Sequence, residues 1–244
     1  MRQVSTVTEL RLLLSSVSRP IGLVPTMGAL HEGHLRLVRQ AREDNKTVVL
    51  TIFVNPTQFG PNEDFGYYPR PIDRDLALLE DEHVDIVFTP TVDEMYPDGF
   101  ATTVHVDGPS RGYESDVRPG HFDGVATVVA KLLIQTSPDC VYFGMKDAQQ
   151  TAVVRKLLSD LNLPIAMNVL PTVRENDGLA VSSRNAYLTS EQRVAAPILF
   201  RALSAARDRY RSGGRDAIAL EVGFRSLIAT EPRIDSVDYV ALVD

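Results

Sequence analysis

Two histidines three positions apart are the residues best placed to do chemistry. They are His31 and His34, in the run Pro25-Thr26-Met27-Gly28-Ala29-Leu30-His31-Glu32-Gly33-His34. At helical spacing they share one face. Gly28 and Gly33 carry no Cβ, so a ligand can approach the backbone there. A helix opening after this run offers unpaired N–H groups and a partial positive charge to phosphates. Two imidazoles beside such a terminus can stabilise charge growing on a phosphoryl group during in-line displacement. A metalloprotease site needs histidines at i and i+4, one residue more than this spacing supplies. A polar loop with two solvated histidines is the alternative reading.

Four other segments carry side chains of interest. In Asn55-Pro56-Thr57-Gln58, both amides can donate and accept, which suits a small hydroxy acid. The alternative is a Pro-Gly turn with capping amides. In Arg118-Pro119-Gly120-His121, Arg118 can grip a carboxylate or phosphate in bidentate fashion, or the segment is a helix-entry turn. In Gly144-Met145-Lys146-Asp147-Ala148-Gln149-Gln150, Lys146 offers a point charge to phosphate. Otherwise Lys146 is solvated and Asp147 is an N-cap. Val181-Ser182-Ser183-Arg184 sits in a polar loop that can act as a clamp closing over a triphosphate, or as an exposed interdomain loop.

These residues need a scaffold, and the chain supplies one. Apolar runs at Ile21–Val24, Thr47–Val54, Val84–Phe88, Cys140–Phe143 and Ile165–Val169 alternate with helical patterns, among them 73–82 and 125–135. That alternation predicts an α/β fold, a parallel sheet with helices on both faces. Ligands in such sheets bind beyond the carboxyl ends of the strands. The character changes after Pro171. A loop over 172–185 precedes Thr189 and Gln192, which have capping-box spacing. A long helix to about Tyr210 is expected, then Ser212-Gly213-Gly214, a helix over 215–229 and a strand over Val237–Val243. The expected domains are 1–174 and 175–244.

Composition narrows the function classes. The 244 residues are 44% hydrophobic with a net charge of −7, which argues against a nucleic-acid partner held by bulk electrostatics. No run approaches the roughly 18 apolar residues of a membrane span, and the N-terminal residues lack the apolar core of a signal peptide. One cysteine, Cys140, excludes an intrachain disulfide and fits a reducing cytosol. The expectation is a cytoplasmic protein with small-molecule partners.

Five segments in this order resemble one family. Residues 25–34, 53–70, 118–132, 142–150 and 171–188 are similar to the pantothenate synthetase (pantoate–β-alanine ligase) family, and the resemblance runs from about Ile21 to the end of the chain. It implies a Rossmann-like first domain with a smaller α+β C-terminal lid domain, and a homodimer. It implies an enzyme that uses ATP and Mg²⁺ to adenylate (R)-pantoate, then transfers the pantoyl group to β-alanine. By resemblance, Met27, Gly28, Ala29, Leu30, His31, Glu32, Gly33 and His34 bind ATP, with His34 the proton donor. Gly144, Met145, Lys146, Asp147, Val173, Val181, Ser182, Ser183 and Arg184 are the other ATP positions. Of these, Lys146, Ser182, Ser183 and Arg184 face the phosphates. Gln58 and Gln150 bind pantoate, with Asn55 beside them and Gln58 also near β-alanine. Asp75 is the expected Mg²⁺ carboxylate.

Three departures from the family pattern stand out. Met145 replaces a usual glutamate, which removes a possible partner of Lys146. In Tyr113-Glu114-Ser115-Asp116-Val117, the family's small residues before Arg118 are replaced by Ser115, Asp116 and Val117. The chain stops at Asp244 short of the usual length, implying an incomplete C-terminal domain with a bare sheet edge. The competing functions are a nucleotidylyltransferase of the same superfamily and a non-catalytic relative that binds ATP and pantoate.

Overall fold

The computed structural model describes residues 1–243. The chain divides into two compact units, Met1–Thr172 and Val173–Asp244. The first unit contains β1 (Arg2–Val4), α1 (Val7–Leu14), β2 (Ile21–Thr26), α2 (Glu32–Asp44), β3 (Thr47–Ile52), α3 (Ile72–Asp81), β4 (Ile86–Phe88), α4 (Val92–Met95), α5 (Glu114–Val117), α6 (His121–Thr136), β5 (Cys140–Gly144), α7 (Ala148–Asp160) and β6 (Ala166–Leu170).

The six strands form one sheet in the order β1-β4-β3-β2-β5-β6, every neighbouring pair parallel. Period-two alternation explains how it is covered. Ile21, Leu23, Val49, Ile86, Phe88, Val141 and Phe143 point into one core, shared with residues of α1, α6 and α7. Val24, Val48, Leu50, Val87 and Tyr142 point into the other, against α2 and α3. With both faces buried, the inner strands β2, β3, β4 and β5 read as nearly continuous apolar runs. Strand β2 lies between β3 and β5, where the order reverses, and that reversal opens a crevice at the carboxyl ends.

The second unit contains α8 (Ser190–Ala195), α9 (Ile198–Arg211) and α10 (Ala217–Ile228). Its small core holds Ile198, Ala202 and Ile228, with Phe224, Leu227, Ile234 and Val237 packed on it. Ahead of the helices, a short antiparallel bridge joins Arg174 to Ala180. Val181 N donates to Val173 O at 3.0 Å and Glu175 N to Leu179 O at 2.8 Å.

The structure differs from the sequence expectations in three places. No element is expected before Ile21, yet β1 and α1 are there. A three-residue edge strand is too short to show periodicity. The signal for α1 is a capping box, in which Thr6 accepts from Glu9 N and the Glu9 carboxylate reaches back to Thr6 N. The long helix from Thr189 to Tyr210 is two helices, because Pro197 has no N–H and its ring crowds the preceding turn. The expected strand Val237–Val243 does not form. A strand needs a partner for its backbone groups, and no second strand is present among the described residues of this unit. Leu242 N donates instead to Glu221 Oε1 at 3.0 Å.

Candidate active site

Strand β2 runs into the histidine segment, and its last residue begins the site. Thr26 Oγ1 donates to Thr51 O at 2.7 Å and accepts from Gly28 N at 3.2 Å. Gly28 has φ +80°, and a Cβ there would stand 2.9 Å from Ile52 Cγ2 and 3.1 Å from Asp75 Oδ2. Asp75, on α3, is 1% exposed, and its Oδ1 accepts from Leu30 N at 2.8 Å. Burial raises its carboxyl pKa, against the lowering by the Leu30 and Ala29 amides.

The chain then enters α2 through His31, its N-cap. Nδ1 of His31 accepts from Gly33 N at 3.1 Å. An accepting Nδ1 leaves the proton of the neutral ring on Nε2. The ring folds so closely over Gly33 that a Cβ there would stand 2.9 Å from its Cε1. His34 stacks on His31 with ring centroids 4.0 Å apart and planes at 25°. Its Nδ1 is enclosed without a hydrogen-bond partner. Burial first, then the His31 and Lys146 charges, push its pKa down to about 3. The His31 pKa is also lowered, by burial and then by Lys146. Both rings are therefore neutral at pH 7.

Strand β5, next to β2, delivers Gly144, Met145, Lys146 and Asp147 to the same side. Lys146 pairs with Asp147 at 3.0 Å. Asp147 is the N-cap residue of α7 but makes no side-chain cap bond. Met145 is exposed, and Gln150 is half-buried in the first turn of α7.

Strand β3 leads into a short 3₁₀ turn, Pro56–Gln58. Gln58 Nε2 lies 3.2 Å from Met27 Sδ, which brings the amide segment to the histidine loop. Asn55 is 1% exposed and fully engaged. Its Oδ1 accepts from Thr57 N, Thr57 Oγ1 and Tyr96 Oη at 3.3, 2.9 and 2.8 Å. Its Nδ2 donates to Gln58 Oε1 and Gly124 O, both at 3.1 Å. Gln58 is held at both ends of its amide, Oε1 by Asn55 and Nε2 by Met27 Sδ, and the second Nε2 hydrogen is left for a ligand.

Arg118 meets carboxylates, and they belong to the protein. Nε and Nη2 grip Glu63 at 2.8 and 2.6 Å, and Nη1 reaches Glu114 at 2.6 Å. Glu63, Tyr96, Glu114 and Gln149 are contributors that sequence reasoning missed. Gln149 Nε2 donates to Pro109 O and Gly112 O, each at 3.1 Å, and so shapes the loop before α5. Local patterning carries no signal for Glu63, Tyr96 and Gln149, since each acts on a segment distant in the chain, whereas Glu114 sits at i,i+4 spacing from Arg118, a signal the sequence does carry.

Val173 and Val181 face each other across the hairpin of the second unit. Ser182 caps the 3₁₀ turn Ser183–Tyr187 by accepting from Arg184 N at 3.3 Å, and Arg184 is exposed. Arg193 ties the hairpin together through Glu175 and Asp177, each at 2.6 Å. No group of three or more His, Cys, Asp or Glu is arranged to hold a metal among the described residues.

Comparison with known proteins decides the family. The profile of the family described as pantoate-beta-alanine ligase matches residues 2–244. The chain belongs to the pantoate–β-alanine ligase family. It is 55% identical to the pantothenate synthetase of Roseiflexus sp. (strain RS-1), with 100% of this chain and 87% of that protein covered. A crystal structure of pantothenate synthetase from Thermus thermophilus superposes with a TM-score of 0.91 at 50% identity, covering 95% of this chain and 83% of that one. A pantoate–β-alanine ligase from Francisella tularensis, complexed with beta-gamma ATP and β-alanine, superposes with a TM-score of 0.81 at 35% identity, covering 93% and 86%. The ligase assignment thus displaces the two alternatives raised from sequence, a nucleotidylyltransferase and a non-catalytic binder.

Proposed function

We propose that this ligase makes pantothenate in two half-reactions at the carboxyl ends of β2, β3 and β5. A carboxylate oxygen of (R)-pantoate attacks the α-phosphorus of ATP, and the bond to pyrophosphate breaks. The amine of β-alanine then attacks the pantoyl carbonyl, the bond to AMP breaks, and the amine loses a proton. AMP makes the carboxylate a good acyl donor, and a closed site keeps the adenylate from water. Positioning and charge stabilisation supply the rate, with no covalent enzyme intermediate.

The observation that carries this reading is the stacked His31–His34 pair at the N-terminus of α2, with Nδ1 of His31 already accepting from Gly33. In our assignment the Nε2–H of His31, and His34 beside it, meet the phosphoryl oxygens. Free N–H groups of the Met27–His34 segment and Lys146 share the charge. Gln58 offers Nε2–H to pantoate, and Gln150 joins it there. Asn55, expected as a substrate ligand, is assigned instead to holding the Gln58 amide. We assign Val173, Val181, Ser182, Ser183 and Arg184 of the second unit to ATP as well.

ATP is bound by a homologous ligase, and we infer that it enters here with Mg²⁺ on its phosphates. Asp75 does not fit as the ion's ligand, because its carboxylate faces the backbone amides of the loop. We also place the ligase in the cytoplasm as a homodimer. No described helix is long and apolar enough to cross a membrane.

A pyrophosphate-release assay with each substrate omitted in turn tests the reading. Release should require ATP and pantoate, and pantothenate should form only with β-alanine. Turnover indifferent to β-alanine would sink the assignment. His34→Ala should lower kcat for adenylation roughly 10²-fold, the scale of losing a preorganised charge stabiliser.

A further inference from the structure

We propose that Arg118 and His121 are positioning residues for the pantoate site, acting through the backbone of Gln58. Nδ1 of His121 lies 2.8 Å from Gln58 O, and Nη2 of Arg118 lies 3.3 Å from the same oxygen. A carbonyl only accepts, so Nδ1 carries the hydrogen. Nη1 of Arg118 lies 3.2 Å from Nε2 of His121, and a guanidinium only donates, so Nε2 accepts. The two contacts together hold the ring in one neutral tautomer and one orientation.

Arg118 is itself fixed from two directions. Glu63 grips it bidentately from the loop just after Gln58, and Glu114 holds it from α5. The His121 side chain is 7% exposed, and those of Arg118 and Glu63 are 22% and 24% exposed, so water competes little for these bonds. The clamp continues one turn along α6. A Cβ on Gly124 would stand 2.3 Å from Thr57 O and 2.7 Å from Gln58 N. The helix backbone thus touches the 3₁₀ turn, Arg118 and His121 hold its carbonyl, and Asn55 holds its side chain. Gln58 is thus held by Asn55, by α6 and, through Nε2, by Met27 of the histidine loop.

This inference rests on the reading of Gln58 as a pantoate ligand. It is tested by steady-state kinetics on His121→Phe, His121→Asn, Arg118→Lys and Gln58→Ala, with the thermal midpoint of each recorded. Misplacing a binding group by an ångström costs up to about 100-fold, so His121→Phe should raise KM for pantoate about tenfold or more. KM for ATP should stay within about twofold. His121→Asn, which keeps a donor near the Nδ1 position, should recover most of the loss. Arg118→Lys keeps the charge but loses the fork, and should show the same selective rise, which covers the case in which His121→Phe fails to fold. In the Gln58→Ala background, His121→Phe should add nothing to KM for pantoate. Equal shifts in both KM values, or an undiminished effect in that background, overturn the clamp. An unchanged KM for pantoate in Gln58→Ala alone overturns the ligand assignment and the purpose of the clamp with it.

Discussion

His34 is a cation in the unfolded chain below about pH 6.5, but its folded pKa is near 3. Between those values the unfolded state holds the extra proton. Stability therefore falls as pH drops through that window and is fully present above it. The penalty from His34 alone is about 2 kcal/mol at pH 5. His31 and His121 are shifted the same way by burial. Urea denaturation of the ligand-free protein at pH 7.5 and pH 5 should show the loss, and His34→Ala should flatten it. An identical acid limb in the variant would refute the assignment. Asn55 gives a second test. Asn55→Asp turns a buried double donor into an acceptor facing Gly124 O and Gln58 Oε1. It should cost about 2–4 kcal/mol by urea denaturation and raise KM for pantoate. The histidine segment was legible because its residues are contiguous and their spacing alone says what they share. Arg118 and Asn55 were visible as chemistry but not as partners. Glu63 lies 55 positions from Arg118 and Gly124 lies 69 from Asn55, and only the fold joins them.

At the scale of elements, the position of α6 decides the position of the amide turn. Gly124→Ala introduces a methyl where backbone atoms already stand. Overpacking of this kind costs about 1–3 kcal/mol, and here it also pushes the turn away from the helix. The expected outcome is a lower thermal midpoint together with a raised KM for pantoate. A variant with wild-type KM would show that the turn does not depend on α6. The central strands β2, β3 and β5 were readable because burial on both faces makes them nearly continuous apolar runs. Strand β1 was not, since three edge residues carry no period. The break between α8 and α9 is written in Pro197, whose missing N–H and ring end the helical spacing that begins at Thr189. The strand expected at Val237–Val243 had the right residues and no partner, and composition alone does not supply one.

At the scale of the molecule, the two units hold unequal shares of the stabilising core. Both large clusters lie within Met1–Thr172, while the second unit buries three residues in its own. A fragment of residues 1–172 should therefore unfold cooperatively by itself. Under the proposed assignment of Ser182, Ser183 and Arg184 to ATP, it should keep pantoate binding by calorimetry and lose pyrophosphate release. Full adenylation activity in that fragment would overturn that assignment.

The sheet order has a further consequence, one of timing. The carboxylate of Asp139 accepts from the amide of Ile21, 118 positions earlier, and β5 pairs with β2 across a similar span. At roughly 5–20 residues per second, a ribosome takes about 6–24 s to make the intervening chain. For that interval the newborn β2 carries an open edge and an apolar face. The middle of the finished sheet is thus the part of the nascent polypeptide exposed longest to wrong partners, and the part a chaperone would most need to shield.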